Sequence, residues 1–165
     1  MRHTISVQVD NKPGVLARIA GLFSGRGFNI ESLSVNETLD PTMSQMTIVT
    51  RGDDRIIEQI NKQLNKLIDV IKVVDFESRG EDFIERELVL IKVAVDEHRR
   101  SEVLSIIDIF RGKVVDVSRT HYTIEVTGDE DKINALIDLL KPIGIKEMVR
   151  SGKAAMVREK KRNSP

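Results

Sequence analysis

Two short polar stretches flank one apolar run near the start of the chain, and their residues could bind a small molecule. The first is the sequence NKPG at 11–14, and the second is GRGFN at 25–29. Pro13 fixes φ and has no N–H, whereas Gly14 allows a ligand to approach the backbone closely. The Asn in each stretch can accept a hydrogen bond from an ammonium group and donate one to a carboxylate. A free α-amino acid presents both of those groups.

The residues that follow Gly14 supply further donors. Val15 and Leu16 begin a run with helical spacing, so the N–H groups of its first turn have no partner within the helix. The helix dipole favours an anion, such as a carboxylate, at this position. An ordinary turn followed by a helix cap is the alternative interpretation of the same residues.

No other group of residues forms a catalytic or metal-binding motif. The chain has no Cys, which excludes disulfides, thiolate catalysis and thiolate metal sites. Its three histidines, at 3, 98 and 121, lie on different predicted elements without the spacing of a metal or acid–base pair. The Gly-Arg-Gly at 25–27 lacks the third Gly of a dinucleotide fingerprint and follows a helix rather than a strand. We therefore predict no catalytic residue, no metal and no cofactor in this chain.

The charge balance argues against nucleic acid as a partner. Lys+Arg and Asp+Glu are 26 each, so no overall field attracts a polyanion. RNA-recognition modules of similar element order stack bases on aromatic strands, but this chain has only five Phe and one Tyr. The tail from Arg150 carries six Lys or Arg against one Glu. RNA binding through that basic tail is a minor alternative, and a solvated terminus is the favoured interpretation.

The sequence also argues against a membrane location. The first ten residues alternate polar and apolar side chains, unlike a signal peptide, and no apolar run approaches the ~20 residues of a membrane span. The lack of Cys agrees with a reducing compartment. A cytoplasmic protein is the expectation.

The same order of elements occurs twice in the chain. Alternating Ile5, Val7 and Val9 predict a strand, and the spacing of apolar residues from Val15 to Phe23 predicts a helix that ends at Gly25 or Gly27. The first half continues with strands at 30–38, 43–50 and 70–76 and with a helix that Asp53 or Asp54 caps. The second half has strands at 87–95, 113–118, 121–127 and 144–150, with helices at 103–110 and 129–140.

The repeated βαββαβ order predicts an α+β fold made of two tandem ferredoxin-like domains. The expected limits are 1–79 for the first domain and 80–165 for the second, which includes the basic tail. Arg26-Gly27 after the first helix is echoed by Arg111-Gly112, 85 residues later. Each half leaves a sheet face or edge uncovered, so we expect a dimer or another protein partner.

The second copy serves as an internal control for the NKPG stretch. Its corresponding sequence, VAVDEHRRSEV, keeps an Asp at 96 but has no Asn, Pro or Gly, and the alignment replaces Asn29 with Val114. The connection can therefore be made without those residues. Their presence in the first half indicates a special role there.

Residues 10–35, DNKPGVLARIAGLFSGRGFNIESLSV, resemble a known family. The N-x-P-G-x-L part resembles the ACT domain, a small-molecule regulatory module. The continuation GLFSGRGFNIESL is similar to the small regulatory subunit of acetolactate synthase, also called acetohydroxyacid synthase. Further similarity lies in MTIVTRGDD, ERELVLIKV and FRGKVVDVS.

The resemblance implies a non-catalytic regulatory subunit of a transferase. Its partner would be the large catalytic subunit, which uses thiamine diphosphate, Mg²⁺ and FAD. The small subunit would activate that partner and confer feedback inhibition by valine, or another branched-chain amino acid, in the synthesis of valine, leucine and isoleucine. A stand-alone ACT-type amino-acid sensor of another pathway is the alternative.

The resemblance also implies where the effector binds. ACT domains of this family pair side by side as a homodimer, with the amino acid between the helix-start loop of one subunit and residues after the first helix of the other. Gly14 with the N–H groups of Val15 and Leu16 would hold the carboxylate, and the Val15 side chain would help to line an apolar pocket. Val35 is a weaker candidate for the wall. The full expected set is Asn11, Pro13, Gly14, Val15 and Leu16 with Asn29 and Ile30.

Overall fold

The computed structural model describes residues 1–80 and 82–159, and it divides into two compact units. Of these residues, Met1–Ile84 form the first unit together with 153–159, and Glu85–Gly152 form the second. The expected limits of 1–79 and 80–165 assign the final segment to the second domain. The structure instead packs its described part, 153–159, with the first unit.

The first unit has the ferredoxin-like arrangement that its sequence pattern predicts. Its four antiparallel strands lie in the order β2-β3-β1-β4, and two helices cover one face of the sheet. In this register Ile5 lies opposite Ile48 and Asp75. The elements are β1 (Arg2–Asp10), α1 (Val15–Gly25), β2 (Ile30–Glu37), β3 (Met43–Arg51), α2 (Asp54–Asn65) and β4 (Val70–Asp75).

Alternation on the strands and helical spacing on α1 and α2 build one apolar core. Ile5, Val7 and Val9 of β1 are at most 1% exposed, in agreement with period-two alternation. Of the two Asp residues considered as a cap, Asp53 begins α2, because its side chain accepts a hydrogen bond from the Ile56 amide at 2.9 Å. Leu16, which belongs to the apolar run predicted as a helix, is 43% exposed.

A strand that the sequence did not predict lies against the other face of the first sheet. This strand, β9 (Ala154–Val157), lines a cavity of about 250 Å³ with Phe76 and polar side chains of the sheet. The Lys153 side chain is buried, and its carbonyl accepts a hydrogen bond from Ser34 Oγ at 2.6 Å. A segment of the chain itself therefore covers part of the face that we expected another protein to cover.

The second unit repeats the topology, with strands in the order β6-β7-β5-β8. Asp129 caps α4 through the Lys132 amide at 2.9 Å. The core contains Ile91, Ile124 and Ile133, each fully buried. The elements are β5 (Phe83–Ala94), α3 (Arg100–Ile109), β6 (Lys113–Val117), β7 (His121–Gly128), α4 (Glu130–Leu140) and β8 (Ile145–Arg150).

The described part of the basic tail is engaged within the fold. Arg150 lies on β8, and its Nε donates to Glu87 Oε2 at 3.0 Å. Lys153 is buried, and the Arg158 amide donates to the Asp82 carbonyl at 2.9 Å. The other three basic residues, at 160–162, lie outside the described residues. Half of the cations assigned to a solvated tail thus belong to the folded structure.

The structure aligns the two repeats with an offset that is one residue shorter than the spacing of the two Arg-Gly pairs. The residue in the left-handed conformation after α1 is Gly27, at φ 70°, whereas after α3 it is Arg111, at φ 53°. The next amide then reaches back to the helix in both cases, from Phe28 at 2.9 Å and from Gly112 at 2.8 Å. Gly27 therefore corresponds to Arg111, so the counterpart of Asn29 is residue 113, a Lys, rather than Val114.

Candidate functional site

The start of α1 has a different chemistry from the starts of α2 and α4. Its N-cap is Gly14, with no side-chain cap and no acidic residue in the first turn, whereas α2 and α4 have Asp caps and acidic first turns. The Val15 amide faces the Lys12 carbonyl at a long 3.4 Å. Among the described residues, the amides of Leu16 and Ala17 have no acceptor. Two strong donors at the positive end of the helix thus remain for an anion.

Gly14 allows this geometry because of its conformation. Its φ is 86°, a value at which an L side chain is strained. A Cβ at this position would also come 3.2 Å from Nη1 of Arg18. The Arg18 side chain is held in place by Asp69, whose Oδ2 accepts from Nε at 2.9 Å and from Nη2 at 2.6 Å. No local sequence pattern links Arg18 to Asp69, because 51 positions separate them.

Asn11 fastens the loop before α1 to the turn between β2 and β3. Its Nδ2 donates to the Pro41 carbonyl at 2.9 Å and to Glu37 Oε1 at 3.1 Å, and its amide donates to the Thr42 carbonyl at 2.8 Å. These bonds use the donors that we expected to be available to a carboxylate. The Asn11 side chain therefore keeps its acceptor, Oδ1, as the atom suited to an ammonium group.

The apolar roles of Val15 and Leu16 are the reverse of the prediction. The Val15 side chain is 3% exposed and packs in the core, so it cannot line an open pocket. The Leu16 side chain is 43% exposed beside the free amides and can do so. Pro13 is exposed in the same loop. Helical spacing alone did not distinguish which of two adjacent apolar residues faces the sheet.

Asn29 and Ile30 lie beyond the opposite end of α1. The helix has 11 residues, so at ~1.5 Å per residue its ends are about 16 Å apart. The Asn29 side chain is exposed, and its carbonyl accepts from Thr50 Oγ1 at 2.6 Å. Ile30 and Val35 are half-buried against the core. One copy of the chain therefore does not bring the two predicted parts of the site together.

His3 belongs to a buried polar cluster that sequence spacing did not indicate. Its Nδ1 lies 3.1 Å from Asp75 Oδ1, and Glu77 is also close enough to share a metal ion with this pair. Asp75, however, already accepts hydrogen bonds from Ser78 Oγ at 2.5 Å, from the Ser78 amide at 3.2 Å and from Asn61 at 3.4 Å. With its lone pairs occupied in this way, the cluster fits a structural role that ties β1 to the end of β4.

Burial and hydrogen bonding act in opposite directions on Asp75. Burial raises the pKa of its carboxyl, but the hydrogen bonds from Ser78 and His3 together hold that pKa below its usual range. Asp75 is therefore a carboxylate at neutral pH, and its charge is stabilised by fixed donors.

Relatives with similar sequences identify the family. A probable acetolactate synthase small subunit from Archaeoglobus fulgidus is 56% identical over 162 residues, which is 98% of this chain and 100% of that protein. The acetolactate synthase small subunit of Aquifex aeolicus is 61% identical over 96% of this chain and 82% of its own length. This chain belongs to the acetolactate synthase small-subunit family.

Family models and a solved structure agree with this membership. Residues 5–72 match the model of the AHAS small subunit-like ACT domain, and residues 86–159 match that of the small subunit of acetolactate synthase. The crystal structure of the small subunit from Thermotoga maritima superposes with a TM-score of 0.86 at 44% identity, covering 97% of this chain and 99% of that one. The predicted resemblance and the ACT-type fold are thus confirmed.

Membership of the small-subunit family supports a regulatory, non-catalytic role for this chain. It also implies a large catalytic subunit as partner, and it is consistent with the expectation that this chain holds no cofactor. Within residues 1–80 and 82–159, no helix has the length and apolar character needed to cross a bilayer.

Proposed function

We propose that this protein is the cytoplasmic regulatory subunit that activates the large subunit of acetolactate synthase and makes it sensitive to valine. The partner would supply thiamine diphosphate, Mg²⁺ and FAD, and the regulated pathway would be the synthesis of valine, leucine and isoleucine. The observation that carries this proposal is the uncapped start of α1 behind a left-handed Gly14, in a chain of this family.

The proposed effector site forms between two copies of the ACT domain. β2 is an edge strand whose only ladder within the first sheet is with β3, so its outer edge is available to a second copy. Side-by-side pairing of two β2 edges would carry Asn29 and Ile30 of one copy toward the α1 start of the other. Because α1 separates these groups by about 16 Å in one chain, a dimer is the arrangement that can unite them.

Each part of a branched-chain amino acid has a partner in this proposed site. The amides of Leu16 and Ala17 would donate to the carboxylate, and Asn11 Oδ1 would accept from the ammonium group. The exposed Leu16 side chain and Ile30 of the second copy would contact the aliphatic side chain. Asn29 of the second copy, whose amide group is exposed, would complete the polar contacts.

Regulation follows if valine favours one arrangement of the paired ACT domains. A ligand at the interface stabilises the arrangement in which both halves of the site meet. The catalytic subunit must then prefer another arrangement, because coupling requires differential affinity for the two states. Linkage makes the effect reciprocal, so the large subunit should weaken valine binding. Unchanged valine affinity after addition of the large subunit would contradict this coupling.

The binding site is tested by calorimetric titration of the full chain with valine, leucine, isoleucine, serine and phenylalanine. Gly14→Asp should abolish valine binding, since it places a carboxylate where the effector carboxylate would lie. Gly80→Asp is the matched control, because Gly80 also has a positive φ, 57°, and its Cβ position is open. We expect this control to bind valine like the wild type.

Three outcomes of that titration would change the proposal. Tight valine binding by the Gly14→Asp variant would place the site elsewhere. Heat with serine or phenylalanine but with no branched-chain amino acid would favour the stand-alone sensor. An absence of binding to every ligand, together with failure to stimulate a large subunit, would count against the regulatory role itself.

A further inference from the structure

We infer that Arg18 binds the α-carboxylate of the effector and that Asp69 holds the Arg18 side chain in position for this contact. This inference rests on the proposed amino-acid site at the start of α1 and adds a charged recognition residue to it. The ligand class it selects is an α-amino acid with a free carboxylate. Without such a residue, the site would hold the carboxylate through backbone amides alone.

The guanidinium lies beside the loop that is proposed to bind the carboxylate. A Cβ built on Gly14 would come 3.2 Å from Arg18 Nη1, so this nitrogen lies next to that glycine at the start of α1. Nε and Nη2 are both directed at one oxygen of Asp69. Nη1 is thus the guanidinium nitrogen that remains for a ligand at the proposed site. A planar guanidinium group matches the geometry of a carboxylate.

Asp69 is placed to hold this geometry rigidly. It is 8% exposed, it lies directly before β4, and its carbonyl accepts from the Asp10 amide at 2.9 Å. The Asp69 side chain therefore holds the Arg18 guanidinium, and the Asp69 backbone carbonyl holds the end of β1. The Arg18 side chain is 49% exposed, so a ligand can reach it.

The position of Arg18 has no obvious structural reason. Arg18 is four residues after the N-cap of α1, and a cation in the first turn of a helix opposes the helix dipole. In the second unit, the alignment of Gly27 with Arg111 makes Glu102 the counterpart of Arg18, and Glu102 is an exposed acidic residue in the first turn of α3. The repeated fold is therefore stable without a cation at this place, and the Arg–Asp pair is specific to the unit with the proposed site.

The test compares valine affinity of the full chain and its variants by calorimetry. Arg18→Gln should weaken valine binding about 10- to 100-fold, the range expected for loss of a charge-assisted hydrogen bond. Arg18→Lys should recover part of the affinity. The matched control is Arg55→Gln, since Arg55 is an exposed Arg on α2 of the same unit and lies outside both parts of the proposed site. We expect the control to be unchanged.

A double variant separates direct recognition from charge repulsion. Arg18→Gln leaves Asp69 unpaired beside the site, and that carboxylate alone could repel the ligand. The double variant Arg18→Gln with Asp69→Asn removes this repulsion. If Arg18 contacts the carboxylate, the valine affinity of the double variant should stay at least 10-fold below that of the wild type. Recovery of wild-type affinity in the double variant would overturn the inference.

Valinamide, which lacks the carboxylate charge, gives a readout that does not need a variant. The wild type should bind it at least 10-fold more weakly than valine, and equal binding of the two ligands would overturn the inference. Arg18→Gln binding valine within about twofold of the wild type would also overturn it while leaving the proposed site intact. If the wild type binds no branched-chain amino acid, the proposed site fails and the inference fails with it.

Discussion

Replacing Asp75 with Ala should destabilise the first unit and leave the second unit unchanged. Asp75 and His3 are 4% and 3% exposed, and the carboxylate accepts bonds from His3, Ser78 and Asn61. The variant would leave His3 buried with neither ring nitrogen bonded to a described residue, because Nε2 has no such partner in the wild type either. A buried polar group left without its hydrogen-bond partner costs about 1–3 kcal/mol.

A loss of that size is large for a small domain. For a unit of this length it corresponds to a fall of roughly 4–24 °C in the unfolding midpoint. Hydrogen exchange followed by mass spectrometry resolves the two units separately, so it measures the loss directly. Amides of β1 and β4 should lose protection, whereas amides of β5 and β7 should keep it.

The matched control is Glu58→Ala, which removes an exposed ion pair with Lys62 in the same unit. We expect no measurable change in protection from this variant, because exposed pairs on a helix contribute little. Equal protection of β1 in the Asp75→Ala and Glu58→Ala variants would refute the reasoning. It would mean that the buried cluster contributes no more than a surface ion pair.

The same cluster predicts how stability depends on pH. The pKa of Asp75 is lower in the folded chain than its ordinary value of 3.8. Its contribution is therefore fully present above that ordinary pKa and is lost as the pH falls through the folded pKa. We expect β1 protection in the wild type to decline on acidification below about pH 4. The decline should be shallower in Asp75→Asn, which has no carboxylate to protonate at this position.

Four further substitutions test the architecture. Asp53→Ala and Asp129→Ala remove equivalent helix caps, and each should cost about 1 kcal/mol in its own unit only, as read by hydrogen exchange. Ser34→Ala removes the hydrogen bond to the Lys153 carbonyl and should lower the free energy of unfolding of the first unit by about 1 kcal/mol, as measured by urea unfolding. The final segment should also become more sensitive to protease. Gly112→Ala places a Cβ 2.7 Å from a core valine methyl and should lower the thermal midpoint of the second unit, which fluorescence of the single tyrosine reports.

Much of the fold was readable from short-range patterns in the sequence. Alternation in β1, helical spacing in α2 and the capping Asp residues act between neighbours along the chain, and neighbours are visible in one dimension. The NKPG loop was predicted for the same reason, because Pro13 and Gly14 restrict or widen backbone conformation locally. These signals were sufficient for two βαββαβ units and for a plausible ligand loop.

Some predictions from the sequence were wrong because the outcome depends on packing between distant parts of the chain. Short patterns do not encode that packing. Val15 and Leu16 are both apolar and adjacent, and only the packing of α1 on the sheet buries the first and exposes the second. The left-handed residue after α3 is Arg111 rather than Gly112, and no short sequence pattern marks an Arg for that conformation. The strand at 154–157 was missed because it pairs with β5, a strand that is distant in the sequence.

By itself, the sequence determined the repeated fold, the uncapped helix start and the absence of thiolate chemistry, all of which depend on residue type and local spacing. Only the tertiary structure decided which distant residues meet. Sheet register brings Asp75 to His3 across 72 positions, and β4 brings Asp69 to Arg18 across 51. Such pairs depend on the summed geometry of every intervening element, so no local pattern records them. The same geometry separates Gly14 from Asn29 by the length of α1, which is the physical reason to look for the complete site in a dimer.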